Sequence, residues 1–344
     1  MYPLLDINLS GITDNLYTLK KECDKQNISL CLVTKMLSGY RVLVEFILDK
    51  TAVSLISDSR IANLAEFEET DAVKWLIRPP MESEIEDVIK YSDASFNTEM
   101  KTVFSLNEEA KKQGKIHKII LLAECGDLRD GCYFDELEEI IEKSRMLENI
   151  EIYGIATNLS CVNETLPDEE NMKYFEETVL KLQEKFKFKF KVVSGGASSS
   201  IKMLFDKKLP KIINNLRFGE GVYLGNIPVL DVPFENAKKN NFILKAQIIE
   251  CKMKPNVANT KLKDAKALKK RAVVALGKQD IYLPGLSPVD EKAKIAGGSS
   301  DHIIVDVTDC EKDYGVGDEI AFKMNYNCLL NAMDSKYIEK RIIS

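Results

Sequence analysis

Short apolar stretches alternate along this chain with longer segments in which apolar residues recur at helical spacing. The short stretches are rich in β-branched residues, which is typical of strands buried on both faces. The predicted strands are residues 30–35, 53–58, 73–78, 94–97, 118–125, 150–158, 190–194 and 215–224. The predicted helices are residues 8–26, 42–48, 82–90, 99–113, 135–144, 169–184 and 199–205.

Eight strands separated by helices predict an α/β protein whose strands form a (β/α)8 TIM barrel. A doubly wound open sheet is the alternative, but no glycine-rich dinucleotide fingerprint follows the first strand. After Pro233 the pattern changes to strands at residues 242–253, 272–276, 303–307 and 319–324, with no long helices among them. We therefore predict a barrel over residues 1–232 and a smaller β-rich domain over 233–344, which the first few residues could join. We expect the basic segment 261–271 to be a solvated loop or hairpin.

Composition narrows the class of protein without naming a reaction. The 344 residues are 45% hydrophobic and 30% charged with a net charge of −6, which suits a globular protein and disfavours nucleic acid and acidic membrane surfaces as partners. No apolar run approaches membrane-spanning length. The eight cysteines form no Cys-x-x-Cys pair, and there are two histidines, so we expect free thiols in the cytoplasm and no metal site.

Candidate chemistry lies where the predicted strands end, because the carboxyl ends of barrel strands form the active face. The first strand ends on Lys35, a long cation that could simply reach solvent or could face a cleft. After strand seven, residues 194–200 read Ser-Gly-Gly-Ala-Ser-Ser-Ser, and Gly219 and Gly221 follow on strand eight. Such segments bind phosphates through backbone amides, although small residues also serve tight packing. A lysine, a phosphate cradle and the nearby Arg217 together match the needs of pyridoxal 5′-phosphate (PLP).

The sequence resembles a family at four places in the barrel and two in the second domain. Val33-Thr34-Lys35 and residues 126–131, 194–198 and 216–221 resemble the alanine racemase-like PLP enzymes of fold type III, over nearly the whole chain. Gly277-Lys278-Gln279-Asp280 and Gly298-Ser299-Ser300-Asp301-His302 resemble the ornithine racemase branch of that group.

The resemblance implies a PLP-dependent racemase that interconverts L- and D-ornithine. It implies that Lys35 carries PLP and moves the Cα proton on one face, that Arg129 lies near the phenolic oxygen of the ring and that Arg217 faces the ring nitrogen. An arginine does not give up its proton, so the ring nitrogen would stay unprotonated and suit brief proton removal and return. The other implied cofactor contacts are Tyr40, Asn158, Ser194, Gly196, Ser198, Gly219, Glu220 and Tyr337.

Departures from the alanine racemase pattern concern the second base and the substrate. Lys278 falls where alanine racemases have a tyrosine base supplied by a partner subunit, and Tyr282, Ser300 and His302 are alternatives for that role. We expect a homodimer with shared active sites. Asp280 and Asp301 are candidates for binding the substrate ammonium, although aspartates also commonly cap turns, and Ser300 is a further candidate for substrate binding. A lysine that helps to hold the arginine in many alanine racemases is replaced by Leu122, so Arg129 must be oriented otherwise.

Other functions remain open from the sequence. The substrate could be lysine, alanine or serine, or the chain could be a non-catalytic PLP-binding homeostasis protein. Those homeostasis proteins are single barrels, so the residues after Pro233 favour an enzyme. A metal-assisted D-threonine aldolase or D-serine dehydratase would need a His/Cys metal pair, which His302, Cys310 and Cys328 do not match in spacing.

Overall fold

The computed structural model describes residues 2–255 and 268–343, which form two compact units. The barrel unit comprises residues 13–35 and 39–239. The C-terminal unit comprises the residues up to 12, residues 36–38 and the residues from 240 onward. Within residues 2–255 and 268–343, no helix is both long and apolar enough to cross a membrane.

The elements follow one another in a mostly alternating order. The strands are β1 Leu4–Asn8, β2 Ser29–Val33, β3 Leu55–Asp58, β4 Val73–Leu76, β5 Ala94–Asn97, β6 His117–Ala123, β7 Ile150–Thr157, β8 Val192–Ser194, β9 Asn215–Phe218, β10 Asn226–Ile227, β11 Val232–Pro233, β12 Phe242–Pro255, β13 Leu268–Val274, β14 Leu286–Pro288, β15 Lys294–Gly298, β16 Ile303–Asp306, β17 Glu319–Met324 and β18 Glu339–Ile343. The helices are α1 Leu9–Asp24, α2 Arg41–Lys50, α3 Ile61–Ala65, α4 Ile85–Tyr91, α5 Met100–Lys112, α6 Phe134–Ser144, α7 Glu169–Phe186, α8 Ile201–Phe205, α9 Glu220–Leu224 and α10 Tyr326–Asp334.

The parallel strands β2 to β9 close into a barrel. Closure occurs where β9 pairs with β2, with Leu216 opposite Leu30 and Phe218 opposite Leu32. The predicted TIM barrel is therefore confirmed.

Large apolar side chains pack inside this unit. Trp75 and Phe96, whose ring centroids are 6.3 Å apart, belong to a buried cluster with small side chains from neighbouring strands. Burying such aliphatic or aromatic side chains contributes on the order of 1.5–3 kcal/mol each. The full cluster is Cys31, Trp75, Ala94, Phe96, Ile120, Leu122, Ala156 and Val192.

The C-terminal unit is built on a sheet in the order β14-β17-β12-β13-β16-β15. Strand β1 joins this sheet, since it pairs antiparallel with β12 and parallel with β18. Leu5 and Ile7 of β1 are fully buried, so the N-terminal strand is part of the core of this unit.

Four sequence-based assignments need correction or lie partly outside the structure. The predicted helix 8–26 is preceded by β1, which the sequence pattern missed, and α10 was also not predicted. The predicted strand 215–224 was wrong beyond Phe218, because the chain turns at Gly219 and continues as α9. The apolar residues of α9 are buried on a helix, and a short apolar run in the sequence does not show whether it forms a helix or a strand. Residues 261–267 of the basic segment lie outside the described residues, and Lys269–Arg271 belong to β13.

Candidate active site

Lys35 lies at the carboxyl end of the barrel, immediately beyond β2. The preceding Thr34 is buried, donates its backbone N–H to Ser57 O at 2.8 Å and donates its hydroxyl to Asp58 Oδ2 at 2.7 Å. Asp58 is buried too, and burial raises the pKa of its carboxyl. These contacts fix the backbone from which the Lys35 side chain starts.

The phosphate cradle predicted at residues 194–200 contributes the Ser198 hydroxyl. The backbone amides that donate to this hydroxyl belong to residues 219–221, which follow β9. The backbone N–H groups of Gly219 and Gly221 both donate to the Ser198 hydroxyl, at 3.3 and 3.1 Å. Gly196 has φ +115°, and a Cβ there would come within 2.5 Å of Ser200 Oγ, so glycine is required. Two amides that converge on one oxygen are a donor set that suits a phosphate oxygen. The residues present therefore fit the phosphate of PLP.

Arg217 is buried in β9 and is held on two sides. Its Nη1 donates to Ser194 Oγ at 2.6 Å and its Nη2 donates to Thr157 O at 2.9 Å, while the guanidinium lies 5.1 Å from the ring centroid of Phe96. Burial lowers the pKa of Arg217 to about 10, which leaves it a cation at neutral pH. Ser194 also donates its hydroxyl to Asn215 Oδ1 at 2.6 Å. Its side chain therefore supports the arginine, and the phosphate contact that the family resemblance implies for Ser194 stays a prediction.

Arg129 lies in the loop that follows β6. Its Nε donates to Asp130 Oδ1 at 2.6 Å. The amide of Asn158, just beyond β7, lies 3.2 Å from both terminal nitrogens of Arg129, and its oxygen accepts from them when it faces them. The buried Asp127 stabilises the loop that follows β7, because its Oδ1 accepts from the backbone N–H groups of Cys161 and Val162 at 2.9 and 3.1 Å.

Glu220 connects the cradle to Lys35 electrostatically. It is the first residue of α9 and is half-buried, and burial raises the pKa of its carboxyl to about 7. Asp231 raises that pKa further, whereas the positive charge of Lys35 opposes the rise. Lys35 and the cradle thus lie at one end of the barrel. Tyr40, also predicted to contact the cofactor, is half-buried at the N-cap of α2.

The two second-domain motifs lie side by side in the C-terminal unit. Lys278 donates its backbone N–H to Ser299 O at 3.0 Å, and Gln279 donates to Ser300 O at 2.9 Å. A Cβ at Gly277 would come within 2.1 Å of Ser300 O, so only glycine permits this approach. The side chains of Lys278 and Ser300 are exposed.

The candidate substrate carboxylates already have local partners in this unit. Asp280 is buried and its Oδ1 accepts from Ser335 Oγ at 2.8 Å. The exposed Asp301 accepts from Ser300 Oγ at 2.9 Å. Tyr337, predicted to reach the phosphate, has an exposed side chain in the same unit. Asp301 therefore holds its own turn, whereas Asp280 links its turn to Ser335, the residue after α10.

Sequence reasoning missed the partners that hold the two arginines. Asp130, which lies within the motif 126–131, Thr157 and Asn215 were assigned no role, although Asp130 directly follows Arg129 in the sequence. In the part of the chain that the structure describes, no three His, Cys, Asp or Glu side chains gather as a metal site would need.

Comparison with known proteins gives concordant matches. Residues 7–227 match the family model described as alanine racemase, N-terminal domain. The chain is 38% identical to ornithine racemase of Acetoanaerobium sticklandii, with 100% of both chains covered. It is 33% identical to lysine racemase of Thermotoga maritima, covering 99% of this chain and 98% of that protein. Its fold matches alanine racemase of Bartonella henselae with covalently bound PLP, with TM-score 0.76, 16% identity and 99% of each chain covered.

Proposed function

This chain belongs to the alanine racemase family, and we propose that it is a PLP-dependent racemase that interconverts L- and D-ornithine. One geometric observation carries the proposal: Lys35, the amide cradle and the buried Arg217 belong to the same end of one closed barrel. The similarity to ornithine racemase over the whole chain favours ornithine over other amino acids. The eight free cysteines suit a cytoplasmic location, which we also propose.

The residues of the barrel end divide the binding of PLP among them. Lys35 would hold the aldehyde carbon, and the backbone amides of Gly219 and Gly221 with the Ser198 hydroxyl would hold the phosphate. Tyr40 and Glu220 remain proposed contacts at the same end. When bound, PLP supplies a ring that accepts electron density from the substrate Cα and so makes its proton acidic.

Arg217 sets the character of the reaction. It is a cation held by Ser194 and Thr157, and a guanidinium donates hydrogen bonds without transferring its proton near neutral pH. Facing a ring nitrogen, it would leave that nitrogen unprotonated. Proton removal followed by prompt return is then favoured over transamination.

Proton transfer needs one group on each face of the substrate. We propose that the Lys35 amine takes and returns the Cα proton on one face and that Lys278 serves the other, with Tyr282, Ser300 and His302 as alternatives. Because the side chain of Lys278 is exposed in a turn held by two backbone hydrogen bonds, it can be presented to a second chain. We therefore propose a homodimer with shared active sites, and a fully active monomer in sedimentation would contradict it.

The activity is tested on purified protein supplied with PLP, by chiral chromatography against L-ornithine, L-lysine, L-alanine and L-serine. We expect D-ornithine to form fastest, with Lys35→Ala inactive and Lys211→Ala, at an exposed lysine of the barrel unit, unaffected. Faster D-lysine formation would assign the lysine substrate instead. Bound PLP without racemisation of any substrate would support a homeostasis protein.

The second base and the substrate carboxylates have separate tests. In Lys278→Met, we expect solvent deuterium to enter Cα of one enantiomer without racemisation, whereas Lys294→Met, at an exposed lysine of the same unit, behaves as wild type. Removing a carboxylate that pairs with a buried ammonium costs on the order of 2–5 kcal/mol of binding. Asp280→Asn or Asp301→Asn should therefore lose the preference for ornithine over alanine. Unchanged preference in both variants would place the carboxylate elsewhere.

A further inference from the structure

Two arginines share the end of the barrel, and their positive charges oppose each other. Arg217 is fully buried, and the nearby charge of Arg129 adds to burial in lowering the Arg217 pKa. Like charges in a site of low polarity are costly unless a carboxylate balances them. Beside these two arginines, Arg129 forms an ion pair with Asp130.

The contact with Asp130 involves one particular nitrogen of Arg129. Asp130 Oδ1 lies 2.6 Å from Nε, and the two side chains retain 19% and 33% of their exposure. Both terminal nitrogens of Arg129 lie 3.2 Å from the Asn158 amide, whose oxygen accepts from them when it faces them. Asp130 on one side and Asn158 on the other therefore determine the direction of the guanidinium.

The backbone that carries Asp130 is tightly constrained. Glu124 accepts from the backbone N–H groups of Gly126 and Leu128 at 2.5 and 3.1 Å, which closes the loop. A Cβ at Gly131 would come within 2.8 Å of Glu124 N, so the chain passes Glu124 too closely for any residue but glycine. Leu122, where the family resemblance leads one to expect a lysine, is buried in the apolar core of the barrel and offers no polar side-chain atom.

We propose that Asp130 is a positioning residue, which orients the Arg129 guanidinium through Nε and balances the charge of the Arg129–Arg217 pair. The proposal rests on the proposed function for the identity of the ligand that Arg129 meets, but the ion pair itself does not depend on it. The field of Asp130 also reaches Arg217, where it opposes the lowering of the pKa. Asp130 thus stabilises both cations while it touches one.

The test compares two variants of nearly equal size, Asp130→Glu and Asp130→Gln, with Asp135→Asn at an exposed position in α6 as the control. In apoprotein, phenylglyoxal followed by peptide mapping measures how readily Arg129 reacts. We expect Asp130→Gln to raise the rate at Arg129 severalfold, and Asp130→Glu and Asp135→Asn to leave it within twofold of wild type. Circular dichroism confirms that each variant is folded.

A second readout uses the protein loaded with PLP. Loss of the carboxylate makes the site more positive, so the midpoint of the pH titration of the visible absorbance should fall by about 0.5–1 pH unit in Asp130→Gln. A misplaced Arg129 should also lower kcat by about tenfold or more, with partial recovery in Asp130→Glu. Equal Arg129 reactivity and equal titration midpoints in all three variants would overturn the proposal. Wild type that neither binds PLP nor racemises any substrate would overturn the proposed function instead, while the apoprotein readout would still decide the role of Asp130.

Discussion

Replacing Glu220 by glutamine should make the apoprotein more stable at alkaline pH but not at acid pH. Burial raises the pKa of this carboxyl from 4.5 to about 7, since the half-buried group loses solvation at the first position of α9. The neighbouring Asp231 adds repulsion, and Lys35 offsets part of it. Glu220 therefore binds its proton more tightly in the folded than in the unfolded protein.

The sign and size of the effect follow from this difference. Below about pH 4.5 both states are protonated and the carboxyl imposes no penalty, whereas above pH 7 both are ionised and the full penalty applies. One pKa unit corresponds to 1.36 kcal/mol, so allowing for solvent screening the penalty is about 1–3 kcal/mol. Glutamine keeps the shape and removes the charge.

Chemical denaturation of apoprotein at pH 5 and pH 8 measures the prediction. The free energy of unfolding of Glu220→Gln should exceed that of wild type by about 1–3 kcal/mol at pH 8 and by much less at pH 5. Glu235→Gln, at an exposed glutamate of the same unit, should follow wild type at both pH values. A gain for Glu220→Gln that is equal at the two pH values would refute the reasoning, because it could not arise from ionisation.

Three further outcomes are expected. Borohydride reduction of the PLP-loaded protein should fix the mass of the cofactor on the peptide that contains Lys35, and finding it on another peptide would reject that assignment. Arg217→Glu should change the visible spectrum of the bound cofactor and depress racemisation relative to transamination, whereas an unchanged spectrum and rate would show that Arg217 does not face the ring. Thr34→Val should lower the free energy of unfolding by about 1–3 kcal/mol, because the buried Asp58 Oδ2 loses the hydroxyl at 2.7 Å, and calorimetry showing no loss would contradict this.

The barrel could be predicted from sequence because each strand is a separate local signal. An apolar run buried on both faces is visible without knowledge of its neighbours, and eight such runs with helices between them imply the closed sheet. The error at residues 215–224 has the same origin, since periodicity in a short apolar run does not distinguish a strand from the short helix α9. Strand β1 escaped notice because its five residues, which include the polar Asp6, run directly into α1 and give no separate apolar signal.

In the candidate site, too, sequence predicted some residues but not the contacts that hold them. Sequence reasoning could find Lys35 and Arg217 because each lies at or near the end of a strand, and the strand ends share one face of a barrel. The hydrogen bonds that Ser194 makes to Arg217 and Asn215 depend on which side chains meet across strands. Those contacts are decided by tertiary packing, so sequence alone could not reveal them.

Strand β1 imposes an order on folding during synthesis. Phe242, the first residue of β12, leaves the ribosome 234 positions after Asn8, the last residue of β1. At about 5–20 residues per second, the apolar edge of β1 waits on the order of ten seconds or more for its antiparallel partner, and longer for β18. Throughout that interval Leu5 and Ile7, which are fully buried in the folded protein, lack the strands that pair with β1, which makes this segment a target for chaperones and for misassociation between neighbouring nascent chains. Each barrel strand from β2 to β8 is followed by its next neighbour, and the barrel can close once β9 has emerged, before β12 has been made.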